Sequence, residues 1–253
     1  MAGKIRPLGS RKPLVFVTGD MHRNFWRLSK FVNQFETTKD DIMIILGDVG
    51  INFNQDASDI KIKEHLQKLP LIFFCIQGNH ELRPEHVEGY ELKGWHGGLV
   101  YVQPDYPSLL FAKDGEIYDI AGEKTLVIGG AYSVDKYYRL ITGRKWFSDE
   151  QPSDETKALV EERLAERNWQ VDVILSHTVP YSCRPVDHFL PGLDPDNVDS
   201  STEIWLEQIM RKTTYEKWYA GHFHCDRSIG HLEIMYGKIG IFCSDKELGF
   251  NFV

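Results

Sequence analysis

The sequence predicts an α/β fold in which parallel strands alternate with helices, and three observations carry that expectation. Short continuous apolar runs such as "IMIIL" (42–46) and "LIFFCI" (71–76) recur along the chain and suit strands covered on both faces. Stretches with apolar residues at helical spacing fall between them. Clusters of Asp, Asn and His come directly after the runs, which places them at the ligand-binding edge of an open α/β sheet.

In chain order, strands are expected at 14–17 ("LVFV"), 42–46, 71–76, 125–129 ("TLVIG"), 171–175 ("VDVIL") and 217–220 ("KWYA"). Helices are expected at about 25–35, 57–68, 154–168 and 201–211. Ser153 before Asp154 and Glu155 reads as an N-cap whose acidic first turn offsets the helix dipole, and Ser200 with Glu203 spells a capping box. The segments 99–120 and 229–252 read as shorter strands joined by glycine turns, "KDGE" (113–116) and "MYGK" (235–238), which suggests antiparallel hairpins added to the parallel pairs. The loop 185–200, rich in Pro and Asp, is either functional or a plain surface excursion.

Composition sets the frame. A chain of 253 residues, 42% hydrophobic, can bury a sizeable core, and with no linker or repeat in it the expectation is one domain over residues 1–253. A formal charge of -8 argues against non-specific binding to nucleic acid or an anionic membrane, although a local basic patch would still allow nucleic acid. The basic start "MAGKIRPLGSRKP" leads only into the short run Leu14 to Val17, too brief for a signal-peptide core, and no apolar run approaches membrane-spanning length. Cys75, Cys183, Cys225 and Cys243 have no Cys-x-x-Cys spacing, so reduced thiols in a cytoplasmic protein are the simplest reading. The composition does not fix the oligomeric state.

The chemistry lies just beyond the strand ends. Asp20 and His22 stand after the first strand, Asp48 after the second, and Asn79, His80 and Glu81 after the third; His177 stands after "VDVIL", and His222 and His224 after "KWYA". Two aspartates, one amide oxygen and four imidazoles outside strand ends form a mixed oxygen and nitrogen shell that suits manganese, iron, zinc, cobalt or nickel. If Asp48 bridged two ions, the other six groups could be shared between them with positions left for water.

Together, "GDMH" (19–22), "GD" (47–48), "GNHE" (78–81), "SH" (176–177) and "GHFH" (221–224) resemble, in their order, the motifs of the calcineurin-like metallophosphoesterases, over about four-fifths of the chain. The resemblance implies a four-layer sandwich of two mixed β-sheets packed face to face and flanked by α-helices. It implies that Asp20, His22 and His224 hold one divalent ion, that Asn79, His177 and His222 hold the other, and that Asp48 bridges them. The activity implied is hydrolysis of a phosphomonoester or phosphodiester, small or protein-borne, by in-line attack of a metal-bridging hydroxide. His80 is then the proton donor to the leaving group, with Glu81 bonded to its other ring nitrogen, and Gly78 lets the chain turn tightly before them. Asn79, His80 and Arg23 are the expected substrate contacts, Arg23 because a guanidinium fork suits a phosphoryl oxygen; Arg83, Arg139 and Arg144 are weaker candidates.

Three positions depart from the pattern. Arg23 stands where many members have Gly, "GDVGIN" stands where the phosphoprotein phosphatases carry "GD-x-x-D-R-G", and Gln77 stands where that branch has Arg. These lower the expectation of a serine/threonine-type protein phosphatase, which stays an alternative beside a non-catalytic scaffold with the same fold. The insertion 129–147, with its Gly, aromatic and basic residues, either walls the substrate cleft or supplies core aromatics.

Overall fold

A computed structural model describes residues 12–189 and 198–243, and the backbone of 247–251. The basic start, the middle of the 185–200 loop and parts of the segment 229–252 lie outside the described residues. The strands are β1 (Val15–Thr18), β2 (Ile42–Ile45), β3 (Ile72–Cys75), β4 (Glu91–Trp95), β5 (Gly98–Val102), β6 (Leu109–Ala112), β7 (Ile117–Ile120), β8 (Glu123–Ile128), β9 (Val173–Ser176), β10 (Lys217–Ala220), β11 (Arg227–Ile229), β12 (Leu232–Ile234), β13 (Lys238–Ile241) and β14 (Glu247–Asn251). The helices are α1 (Trp26–Gln34), α2 (Ala57–Lys68), α3 (Lys136–Thr142), α4 (Asp154–Glu166) and α5 (Ser201–Lys212).

Two mixed sheets result. The first runs β14-β13-β1-β2-β3-β6-β5-β4, with β1, β2, β3 and β6 parallel and antiparallel strands on both flanks. The second runs β11-β12-β10-β9-β8-β7, parallel from β8 through β9 and β10 to β12. Alternation along each strand explains the layering, because successive side chains point to opposite faces. Ile42 and Ile44 of β2 join Phe74, Val127, Val173 and Leu175 between the sheets. Met43 and Ile45, one residue out of phase, pack with Phe73 against Leu28, Phe31 and Leu66 of α1 and α2. On the other side, Ile174 and Trp218 pack against Leu164 of α4 and Trp205, Leu206 and Ile209 of α5. Helix, sheet, sheet, helix is the four-layer order expected.

Three expectations about local structure need correction or addition. "KDGE" and "MYGK" do not close hairpins: the first leads from β6 in one sheet to β7 in the other, and the second from β12 to β13, again across sheets. Among the described residues the antiparallel hairpins are β4–β5, β5–β6, β7–β8, β11–β12 and β13–β14. Ser153 caps α4 as expected, accepting from the Thr156 amide, but Ser200 and Glu203 form no capping box. Glu203 turns inward to accept from the Thr178 hydroxyl, the Ser200 hydroxyl donates to the Val198 carbonyl, and Asp199 accepts from the Ser201 amide in its place. Finally, α3 lies inside the 129–147 insertion and has no buried residue, so no apolar stripe announced it.

Candidate active site

The parallel strands of both sheets end at one rim, and five of them deliver the expected residues there. Backbone bonds stitch the loops together: Met21 and His22 amides donate to the Asp48 carbonyl at 3.2 and 2.8 Å, and the Gly221 amide donates to the His177 carbonyl at 2.9 Å. This framework holds His22, Asp48, His222 and His224 at φ of 43°, 48°, 68° and 51°. Left-handed backbone costs a non-glycine residue about 1–3 kcal/mol and persists only where the surroundings enforce it. Gly78 serves close approach rather than the expected tight turn, because a Cβ there would meet Asp48 Oδ1 at 2.1 Å.

The side chains converge as two groups with Asp48 between them. In the first, Asp20 Oδ2 lies 3.3 Å from His224 Nε2 and 3.6 Å from His22 Nε2, and the two Nε2 atoms are 2.7 Å apart. In the second, Asn79 Oδ1 lies 2.7 Å from His177 Nε2 and 3.1 Å from His222 Nδ1. Asp48 Oδ2 is 3.7 Å from His22 Nε2 and its Oδ1 is 3.7 Å from His177 Nε2, so each oxygen faces one group.

These residues fit a divalent cation. Asp20 Oδ2 is buried without a hydrogen-bond partner among the described residues, and the sets Asp20, His22, His224 and Asp20, Asp48, His177 each bring their donor atoms within 4.8 Å of one another. The supporting bonds aim them: His177 Nδ1 donates to the Leu46 carbonyl at 2.7 Å, leaving Nε2 for the cluster. The amides of His222 and His80 donate to Asp20 Oδ1 and Asp48 Oδ1 at 2.9 and 2.8 Å. Burial resists ionisation of Asp20, but the His22 and His224 rings outweigh it and hold the carboxyl well below its usual range. Burial, reinforced by His177, keeps the His222 imidazole well below its usual value and therefore in the neutral form that binds metals. His80 is lowered chiefly by burial, against the pull of Asp48.

Two expected roles do not match the geometry. Glu81 does not reach the His80 ring: its Oε1 accepts from the Gly78 and Val49 amides at 3.2 and 3.3 Å and its Oε2 from the Gly50 amide at 2.9 Å. It ties the two loops together, and burial followed by the charge of Asp48 pushes its pKa up to about 8. Arg23 faces α2 and donates to Asp59 Oδ1 at 2.5 Å, Ser58 Oγ at 2.8 Å and the Gly50 carbonyl at 2.7 Å, so it does not line the cavity beside the cluster. Arg139 and Arg184 do. Sequence reasoning also missed Ser133, whose Oγ accepts from Asn79 Nδ2 at 2.8 Å. Ser133 comes after β8 as the other site residues come after their strands, so position at a strand end could have found it.

A sequence profile of the calcineurin-like phosphoesterases matches residues 13–226. The chain belongs to the calcineurin-like phosphoesterase family. No curated protein matches it. One crystal structure, 13% identical, covers 94% of this chain and 98% of its own with a TM-score of 0.52, which is a likeness of fold. The protein TT1561 of Thermus thermophilus, 14% identical, covers 89% of each chain with a TM-score of 0.46. AQ665 of Aquifex aeolicus, a protein of unknown function, is 16% identical over 67% of this chain and 81% of that one, with a TM-score of 0.33. Calcineurin-like phosphoesterases typically bind two divalent metals, and the Asp and His groups described above are able to hold metal. Among the described residues of this calcineurin-like phosphoesterase, no helix is long and apolar enough to cross a membrane.

Proposed function

We propose that this chain is a dinuclear metal-dependent hydrolase of a phosphomonoester or phosphodiester. The observation that carries the reading is Asp48, whose two oxygens face two separate donor groups at 3.7 Å each. Asp20, His22 and His224 would hold one ion and Asn79, His177 and His222 the other, with Asp48 shared. Bound there, two ions would neutralise charge on the phosphoryl oxygens and make a water more acidic.

The chain's own residues supply the rest. His80 is the proton donor to the leaving oxygen: it lines the cavity, its backbone amide is pinned to Asp48, and its ring lies 5.6 Å from that of His22. Arg139 replaces Arg23 as the contact for a phosphoryl oxygen, since it lines the same cavity with its Nε held by Asp135 Oδ1 at 2.7 Å. Glu81 contributes by fixing the loops that carry Asp48 and Asn79. Nothing favours the serine/threonine phosphatase branch, because Gln77 donates to the Gly78 and Glu81 carbonyls at 3.1 and 2.9 Å and takes no part in the cavity. Residues 1–253 act as one domain, in the cytoplasm, on a small or protein-borne phosphoester.

The test is metal analysis together with turnover of a chromogenic phosphomonoester and phosphodiester after loading with manganese, iron, zinc, cobalt or nickel. His80→Asn is expected to retain the metals and lose about 10²- to 10⁴-fold in kcat. Absent turnover in the wild type would leave the scaffold reading, and metal-independent turnover would remove the ions from the chemistry; undiminished turnover in His80→Asn would remove the proton-donor role.

A further inference from the structure

β4 ends the first sheet and pairs on one side only, with β5; its outer side has no partner strand among the described residues. Glu91, Leu92, Lys93 and Gly94 are all exposed, and the register against β5 runs unbroken from Glu91–Val102 to Trp95–Gly98. An open edge is a template for another strand, and proteins blunt such edges with proline, a bulge, lysine or a very short strand. The β11 edge of the second sheet follows that rule, having three residues with Arg227 tied to Asp187 at 2.7 and 2.6 Å. β4 has neither proline nor bulge, which leaves Lys93 as its blunting device.

The turn after β4 sets which of its backbone groups face outward. His96 and Gly97, at φ of 48° and 87°, make a two-residue turn closed by Trp95 and Gly98. Residues flanking such a turn form a hydrogen-bonded pair, and bonded and non-bonded pairs alternate from there. Leu99 agrees with this phase, since its carbonyl accepts from the Lys113 amide at 3.2 Å on the β6 side, away from Gly94. Gly94 and Leu92 therefore direct their N–H and C=O groups to the open edge.

A second copy, related by a two-fold axis perpendicular to the sheet, could add its own β4 antiparallel to this one. Side chains opposite each other share a face, so the axis must pass at a residue and not between two. At Glu91 or Lys93 it would set like charges directly opposite, which is destabilising. At Gly94 or Trp95 it would leave Glu91 with no opposite residue in the second β4. At Leu92 it sets Leu92 against Leu92 in a bonded pair and Glu91 against Lys93 twice, in the non-bonded pairs where side chains approach most closely. We propose that β4 is a dimerisation edge that pairs with the β4 of a second copy about an axis at Leu92, so that the first sheet continues through the dimer. Leu92, 52% exposed in one copy, gains an apolar neighbour, and Lys93 changes from a blunting charge into an ion-pair partner. No β4 residue lines the cavity, so pairing leaves it open.

Five residues make a short interface, so the dimer is expected to be weak and concentration-dependent, with a dissociation constant between about 1 μM and 1 mM. Sedimentation equilibrium on the full chain measures it. Glu91→Lys and Lys93→Glu each set like charges opposite in both pairs, and each should weaken the dimer about 10-fold or more. Mixing the two variants restores opposite charges across both pairs, so the mixture should dimerise about as well as the wild type. Because both residues are exposed, and because recovery in the mixture requires two folded proteins, loss of folding cannot imitate that result. Leu92→Pro removes an outward N–H that β5 does not use and should also abolish the dimer. A wild type that stays monomeric up to about 1 mM overturns the inference and leaves the edge to a strand of a different protein. A dimer that survives Leu92→Pro, or one equally strong in both charge variants, overturns it as well. A mixture no more dimeric than its components rules out the register at Leu92, and the proposal with it.

Discussion

The two sides of the cavity are held in different ways. On the cluster side, Asp20, Asp48, Asn79 and His177 are at most 1% exposed, the loops are bonded backbone to backbone, and His22, Asp48, His222 and His224 sit in left-handed conformations that the surroundings enforce. The opposite wall carries α3, in which Tyr137 and Ile141 are 69% and 86% exposed and no residue is buried. The wall is anchored at its ends instead: Arg83 donates to Asp114 Oδ2 at 2.7 Å and to the Asp149 carbonyl at 2.8 Å, and Glu150 receives the Trp146 indole at 2.6 Å. The difference separates two tasks. The cluster groups stand on buried loops bonded to one another, and the groups across the cavity stand on an exposed helix whose flanks are held by a few side-chain bonds.

The largest expected effect comes from breaking the cluster side. Asp48→Asn removes the donor charge shared by the two groups and should cost at least one metal and more than about 100-fold in kcat/KM, beyond the 10- to 100-fold typical of a supporting partner. Metal content by mass spectrometry and turnover are measured together; full occupancy with wild-type turnover would remove Asp48 from the centre. Ser133→Ala tests the side-chain bond that reaches from the wall to a proposed ligand. Asn79 Nδ2 donates to Ser133 Oγ at 2.8 Å, and the Ser133 amide donates to Glu150 Oε1 at 3.2 Å. Without the hydroxyl the Asn79 amide loses the partner that turns Oδ1 toward His177, and metal affinity should fall about 10- to 100-fold in a chelator competition. Unchanged affinity would show that the wall and the cluster are independent.

The same division marks how much of the molecule was legible in the sequence. Strand ends carrying Asp, Asn and His could be read because a parallel sheet sends all such ends to one rim, so residue type and position together implied convergence. Direction beyond the first residue could not be read in this way. Arg23 is next to His22, yet both have positive φ, 68° and 43°, and the reversal sends the guanidinium to α2 rather than to the cavity. Glu81 is next to His80, yet its carboxylate is captured by three backbone amides belonging to two loops. Glu203 had the sequence of a capping residue, but Thr178, 25 positions away, draws it into the wall. In each case a contact distant in sequence outcompeted the local pattern.

Arg23→Met sharpens the comparison with a smaller effect that should appear in stability and not in catalysis. The Arg23 side chain is 24% exposed and Asp59 5%, so the pair is partly screened. Asp59 keeps the Gln55 amide on Oδ2 at 2.7 Å but loses the guanidinium on Oδ1. A loss of about 1–3 kcal/mol is expected, visible as a Tm lower by several degrees, with KM unchanged at temperatures where the variant is folded. A raised KM with an unchanged Tm would return Arg23 to the substrate.

Lys63 provides the smallest effect and a control for any pH profile. It sits on α2, outside the cavity, with Nζ donating to Gln103 Oε1 at 2.8 Å and lying 5.1 Å from the centre of the Tyr90 ring. Burial lowers its pKa to about 8, only partly offset by Asp59 and Glu81. The unfolded chain, with an ordinary lysine near pKa ~10.4, binds more protons than the folded one between those two values. Stability contributed by this group therefore rises with pH from about 8 to about 10.4, and below about 8 its charging penalty is complete and constant. Lys63→Met removes the slope, so the urea midpoint of the variant should exceed that of the wild type at pH 7 and the gap should narrow at pH 10. Other groups titrate in the same window, but they are common to both proteins and cancel in the difference. Parallel curves would mean that Lys63 keeps an ordinary pKa. A narrowing gap with kcat unaltered would show that part of the alkaline behaviour belongs to the helical layer behind the sheet and not to the rim.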